Sequence, residues 1–493
     1  MTRKYKLNLK PALYTMLVAA IGISGCKKYL DVNTNPNNPS TTEAALLLPT
    51  TEAAISQVIG NSFQVFGNIW AQYWTQNPLS SQYKSMDQYA PVSTNFDLPW
   101  LNLYRVALVN ADLITKSNES KIENVKGIAY LMKAYSFQVT TDAFGDVPIT
   151  QALQGTSNLA PKYTPQQVVY DSVFSYIDKA LPLLTKAGAV SAGTQDLIYQ
   201  GDVQKWVAFA NTLKLKANLR LSKVDPASAE AGIKALYATS PVFLTVDASI
   251  AYTGTGGNEN PFYNEASSPT LGRTQNVVAS STIVNAFKAN NDPRLNKFFV
   301  IYNNPAKDSL ESIPQGSFLS QYPNIVSPPS ALVGGKANDP ASALAPVKLI
   351  SAAESYFLQA EAVARGWASG DVTDLYTKGI QASFVATGAG DPTTYIATAP
   401  DGLKALTAAA SVNEKVKAII TQKYYAMCGF QGFEAWTEWR RTGYPTFFVT
   451  SAGSVIGAGR MPLRMLYPNS EITSNVNYPG TVPIYTPVWW AGK

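Results

Sequence analysis

The chain has 493 residues, 46% of them apolar, with two cysteines and no histidine. The missing imidazole excludes every Ser-His-Asp or Cys-His catalytic arrangement and every metal site of the usual His-containing kind. The formal charge of +6 falls to +2 once residues 1–25 are set aside, because they hold four basic and no acidic residues and leave 35 against 33; so small a surplus gives no warrant for nucleic acid as a partner.

Residues 1–25 read as a signal peptide: Arg3, Lys4, Lys6 and Lys10 precede an apolar run over 12–23 that is too short to span a bilayer. Ile23-Ser24-Gly25-Cys26 resembles the lipobox of bacterial lipoproteins, with lipid carried by Cys26 and cleavage just before it. No later apolar run reaches 18 residues, so the expected anchor is lipid alone, each buried methylene contributing about 0.8 kcal/mol. An acylated Cys26 cannot pair with Cys428, which leaves stability to a core rather than a disulfide. Residues 26–42 read as a polar tether. Their Asp31-Val32-Asn33-Thr34-Asn35 opening mimics a calcium loop, but Pro36 and Thr42 stand where glycine and glutamate are needed.

From 43 to 240 the periodicity is helical. One helix is predicted over 124–144, stopping at Gly145-Asp146-Val147-Pro148. A second opens at Thr164-Pro165 and carries Val169, Val173, Ile177 and Leu184 inward; a third over 202–222 buries Trp206, Phe209, Leu213 and Leu221. Lys205, Lys214, Lys216 and Lys223 lie off that stripe and read as a solvated face. Between 241 and 346 Gly254-Thr255-Gly256-Gly257 and repeated Asn-Pro and Ser-Pro steps predict an irregular, surface-forming insertion. Helices resume over 351–367, 371–384 and 413–427 within the stretch 347–445, and 446–493 reads as an irregular C-terminal segment ending in Trp489-Trp490. Ala360, Ala364 and Gly379 are small enough to let helix axes approach, as in a tetratricopeptide-type hairpin. The predicted fold class is therefore mainly α: one domain over 43–493, an α-α superhelix with tetratricopeptide-like helix pairs and long irregular loop insertions.

Several ordered pieces carry a resemblance. They are Cys26 followed by Tyr29-Leu30-Asp31; Trp100 to Tyr104; Ala143-Phe144-Gly145-Asp146-Val147-Pro148; Asn291-Asp292-Pro293-Arg294-Leu295; Ala360-Glu361-Ala362 with Gly379-Ile380; and the run from Phe433 through Trp436, Trp439, Arg440 and Arg441 to Pro445. Across the mature chain this sequence resembles the SusD/RagB family of nutrient-binding outer-membrane lipoproteins of Bacteroidetes. The resemblance implies a helical scaffold that sits as a lid on a SusC-like TonB-dependent barrel and hands it oligosaccharides or other nutrients without cleaving them. Lys27-Lys28 departs from the acidic run that often follows the lipidated cysteine, so surface exposure is implied by the family and not by the tether.

Glu434 and Glu438, four apart on one helix face, are a pair a glycosidase could use, but Arg440, Arg441 and three aromatic neighbours point to structural ion pairing. Gly334-Gly335-Lys336 lacks the remaining residues of a phosphate-binding loop. No catalytic residue, metal site or cofactor is assigned. A glycan site wants an aromatic platform beside amides or carboxylates, and the stretch after residue 70 supplies Trp74, Gln76, Asn77, Gln82, Tyr83, Asp87 and Tyr89, just before Trp100, where the resemblance places the family's ligand-contacting loop. Trp70 reads as a core residue; Tyr83 and Tyr89 fit a ligand-facing and a solvent-facing loop position equally. Tyr263, Tyr302, Asn303 and Tyr322 in the insertion form a second rank. The expected function is a cell-surface, lipid-anchored protein that binds a glycan and passes it to a transporter; a carboxylate glycosidase and an adhesion lipoprotein without small ligand are the rivals.

Overall fold

The computed structural model describes residues 43–492 except 274, 305–306 and 323–324, with the side chains of 303–309 also outside the description. Cys26, the signal peptide and the Asp31–Asn35 stretch therefore lie outside the described residues. The unit from residue 44 onward is mainly α.

The helices predicted from periodicity form, several with capped ends, although Gln166–Leu184 starts after Pro165 without a side-chain cap from Thr164. Asp202 accepts from the amides of Gln204 and Lys205 at the start of Val203–Arg220, and Asp371 caps Val372–Thr387 in the same way. Ser411 and Glu414 close a reciprocal capping box on Val412–Met427. Helix Glu123–Phe144 packs on Gln166–Leu184, that on Val203–Arg220, and that in turn on Pro226–Tyr237. Ala352–Ala364, Val372–Thr387 and Val412–Met427 continue the stack as tetratricopeptide-like pairs. A Cβ built on Gly379 would meet the Phe357 ring at 2.7 Å, so glycine is what lets those two helices close together. Helices Ser62–Trp70 and Gly432–Thr442 touch backbone to backbone: a Cβ on Gly67 would lie 2.1 Å from the Phe433 nitrogen, and one on Gly432 2.4 Å from the Asn68 nitrogen.

Two expectations need correction. The 241–346 stretch is not only surface: strand Val277–Ala279 pairs antiparallel with Trp74–Gln76, strand Ala248–Ile250 pairs with Val347–Ile350, and Phe262, Phe287 and Phe298 are buried. These are three- and four-residue runs whose partners lie far off in sequence, so local periodicity carries no trace of them. Lys216 is not solvated either. It is buried between Glu354 and Glu434, 3.0 and 2.9 Å away, on the face of Val203–Arg220 turned toward Gly432–Thr442.

Candidate functional site

Glu434 and Glu438 are structural. The Arg220 guanidinium reaches Glu434 at 2.7 Å and also pairs with Glu438, while Arg441 bridges Glu438 and Glu361, each at 2.7 Å. Burial alone would raise the Glu438 carboxyl; Arg441, Lys423 and Arg220 outweigh it and hold it well below the usual carboxylate range. Arg440 takes no carboxylate. It lies 3.5 Å over the Trp436 ring and donates to the Asp142 carbonyl. Glu434 lines a cavity of only about 10 Å³, too small for a sugar ring.

The first-rank ligand candidates divide. Trp74 is fully buried: its strand pairs with Val277–Ala279, and its ring stacks at 4.7 Å on Phe262 of helix Pro261–Ala266. Tyr89, at φ 61°, is buried and accepts from the Ser451 amide at 3.1 Å. Tyr83 is buried too, its hydroxyl donating to Glu265 at 3.1 Å. Gln76 and Asp87 are buried hydrogen-bonding hubs. The expectation of an exposed Trp74–Tyr83–Tyr89 platform is thus corrected: the stretch read as a free loop is a paired strand followed by a single helical turn, Lys84–Asp87, with its aromatics turned inward. Asn77 and Gln82 reach solvent.

Asn77 lines an open cavity of about 550 Å³ between loop 77–84 and residues 318–322 with Ile325 and Val326, together with Leu79, Lys84, Gln321 and Tyr322. The Tyr322 ring is half-buried, fixed by a 2.6 Å bond between its hydroxyl and that of Ser317. The Lys84 ammonium stands 5.9 Å over the Phe318 ring. A second cavity of about 630 Å³ is lined by half-buried Tyr263 with Glu259, Asn264, Ser268 and Asn338. Both volumes fall in the range of small-ligand sites. The loop walling the first cavity is tied to the segment walling the second: Asn77 donates to the Gln275 carbonyl at 2.8 Å, and Gln82 donates to Glu265, next to Asn264, at 2.6 Å. Tyr302 lines neither cavity, and the Asn303 side chain lies outside the described residues. Sequence reading missed Lys84, Glu259, Asn264, Gln321 and Asn338; Lys84, Glu259, Asn264 and Gln321 lie within seven residues of Asn77, Tyr263 or Tyr322, and Asn338 has no such neighbour.

Among the described residues no helix is long and apolar enough to cross a membrane, and no group of three His, Cys, Asp or Glu side chains is placed to hold a metal ion.

No curated protein gives a significant match. Solved structures do. A chitin-binding SusD homolog from Flavobacterium johnsoniae is 25% identical over 90% of this chain and 98% of its own, with a TM-score of 0.76. A structure described as a chitin-binding protein is 26% identical over 92% of this chain and 100% of its own, TM-score 0.74. A SusD homolog from Bacteroides vulgatus, at 23% identity over 87% and 92%, shares the fold with a TM-score of 0.72. The profile of a family described as starch-binding and associating with the outer membrane matches residues 36–468, most of the length. The chain belongs to the SusD-like family.

Proposed function

We propose that this protein binds an oligosaccharide at the outer-membrane surface, with sugar units in both cavities, and passes it uncleaved to a SusC-like TonB-dependent barrel. The observation that carries the reading is the pair of open cavities flanking one hydrogen-bonded face, each offering a half-buried tyrosine beside amide side chains. A sugar ring stacks its C–H face on such a tyrosine, and its hydroxyls pair with amide and carboxylate groups. Family membership supports the glycan class, and two similar structures described as chitin-binding make chitin oligomers the first ligand to try. Lipid on Cys26 would hold the protein at the membrane.

The glycosidase rival loses its carboxylate pair, because Glu434 and Glu438 are locked in buried ion pairs. The test is affinity electrophoresis against a panel of chitin, starch and other glycans, with reducing ends assayed in parallel. Retarded migration on at least one glycan without release of sugar is expected; sugar release would overturn the non-catalytic reading, and no retardation on any glycan would overturn glycan binding.

A further inference from the structure

A third cavity, of about 410 Å³, takes no residue from the insertion: it lies where helices Gln166–Leu184, Val203–Arg220 and Pro226–Tyr237 meet the C-terminal segment. Its aromatic wall is Trp489 and Phe174, both half-buried. Trp489 is held in place from behind. Its amide donates to the Gln166 side chain at 2.8 Å, and its ring rests 6.2 Å from that of Tyr170, whose hydroxyl is fixed by a 2.6 Å bond to Asp142. Asn218 is buried in the opposite wall, where its side-chain nitrogen donates to the Lys214 carbonyl at 2.8 Å. Its side-chain oxygen accepts no hydrogen bond among the described residues and points at Gly232, where a Cβ would lie 2.0 Å away.

The charges of this cavity do not balance. Asp171 is exposed and has no ion-pair or hydrogen-bond partner among the described residues. Asp225 accepts from the Ser228 amide at 3.1 Å, and bonds from the Ser228 hydroxyl and amide hold its carboxyl below the usual carboxylate range. Lys214, the cation in the lining, is already paired with Asp178 at 2.6 Å, and nearby Lys223 donates to the Ala491 carbonyl. We propose that this cavity binds an amino sugar carrying a free ammonium group, its ring stacked on Trp489, its ammonium taken by Asp171 and Asp225, and a hydroxyl donating to the Asn218 oxygen. An ammonium between two carboxylates and an aromatic face gains charge-assisted hydrogen bonds and cation–π attraction. An N-acetylated sugar brings no charge and leaves both carboxylates unanswered. The sugar class rests on the glycan reading; the preference for a free ammonium rests on the charges of this cavity.

Isothermal titration of the full chain with two probes tests it, the β-1,4-linked dimer of glucosamine and the same dimer N-acetylated. The glucosamine dimer should bind, and Asp171→Asn and Trp489→Ala should each weaken it about tenfold while leaving binding of the N-acetylated dimer unchanged. Asp171 is exposed, so its variant keeps the test open should Trp489→Ala not fold. No binding of the glucosamine dimer, binding that Asp171→Asn does not weaken, or equal weakening of both dimers would overturn the proposal. Loss of N-acetylated binding in wild type alone would count against the two other cavities and leave this site standing.

Discussion

Glu52 is fully buried beside Asp196, and it is held above the usual carboxylate range first by burial and then by that neighbouring charge, although the Leu197 amide donates to it at 2.7 Å. The folded form binds this proton more tightly than the unfolded chain does, so Glu52 subtracts stability as pH rises above the ordinary carboxylate range. Glu52→Gln removes the penalty: the melting temperature should match wild type at pH 5 and exceed it by about 1–2 °C at pH 8, as scanning calorimetry would show. Glu438 is the opposite case, a carboxylate kept ionised by Arg441, Lys423 and Arg220. Replacing it with Gln strands those cations, at a cost of about 3–5 kcal/mol measured by urea unfolding at pH 7. Its ion-paired character was legible from the arginines that follow it, but its pairing with Arg220 was not, because nothing local joins residues 220 and 438.

At the scale of elements, helices were readable and strands were not. A helix such as Val203–Arg220 declares itself through repeated apolar spacing and an Asp cap. Strand Trp74–Gln76 exists only because Val277–Ala279 lies beside it, and the reading of Trp74, Tyr83 and Tyr89 as a binding platform failed for that reason. Gly379 was legible as a close-approach residue, whereas Gly67 and Gly432 reveal their role only when both helices are in place. Because backbone atoms stand where a Cβ at either position would go, Gly67→Ala should destabilise by about 3 kcal/mol or more in denaturant titrations, and Gly379→Ala, which meets a movable Phe357 ring, by about 1–2 kcal/mol.

For the whole molecule, helical periodicity indicated the fold class, and the order of motifs from Trp100 to Pro445 indicated the family. The binding face was half legible: Asn77, Tyr263 and Tyr322 sit in cavities, but their polar companions come together only through the long-range pairing of the insertion with residues 74–84. The proposed membrane attachment is through Cys26, outside the described residues; on that proposal Cys26→Ser should release the protein from the membrane fraction of cells. Ligand binding by the two cavities is tested most directly by isothermal titration with chitin oligosaccharides of increasing length. Wild type should bind longer oligomers more tightly, and Tyr322→Ala and Tyr263→Ala should each weaken binding about fivefold or more while the fold stays intact. Binding that survives both substitutions unchanged would contradict it.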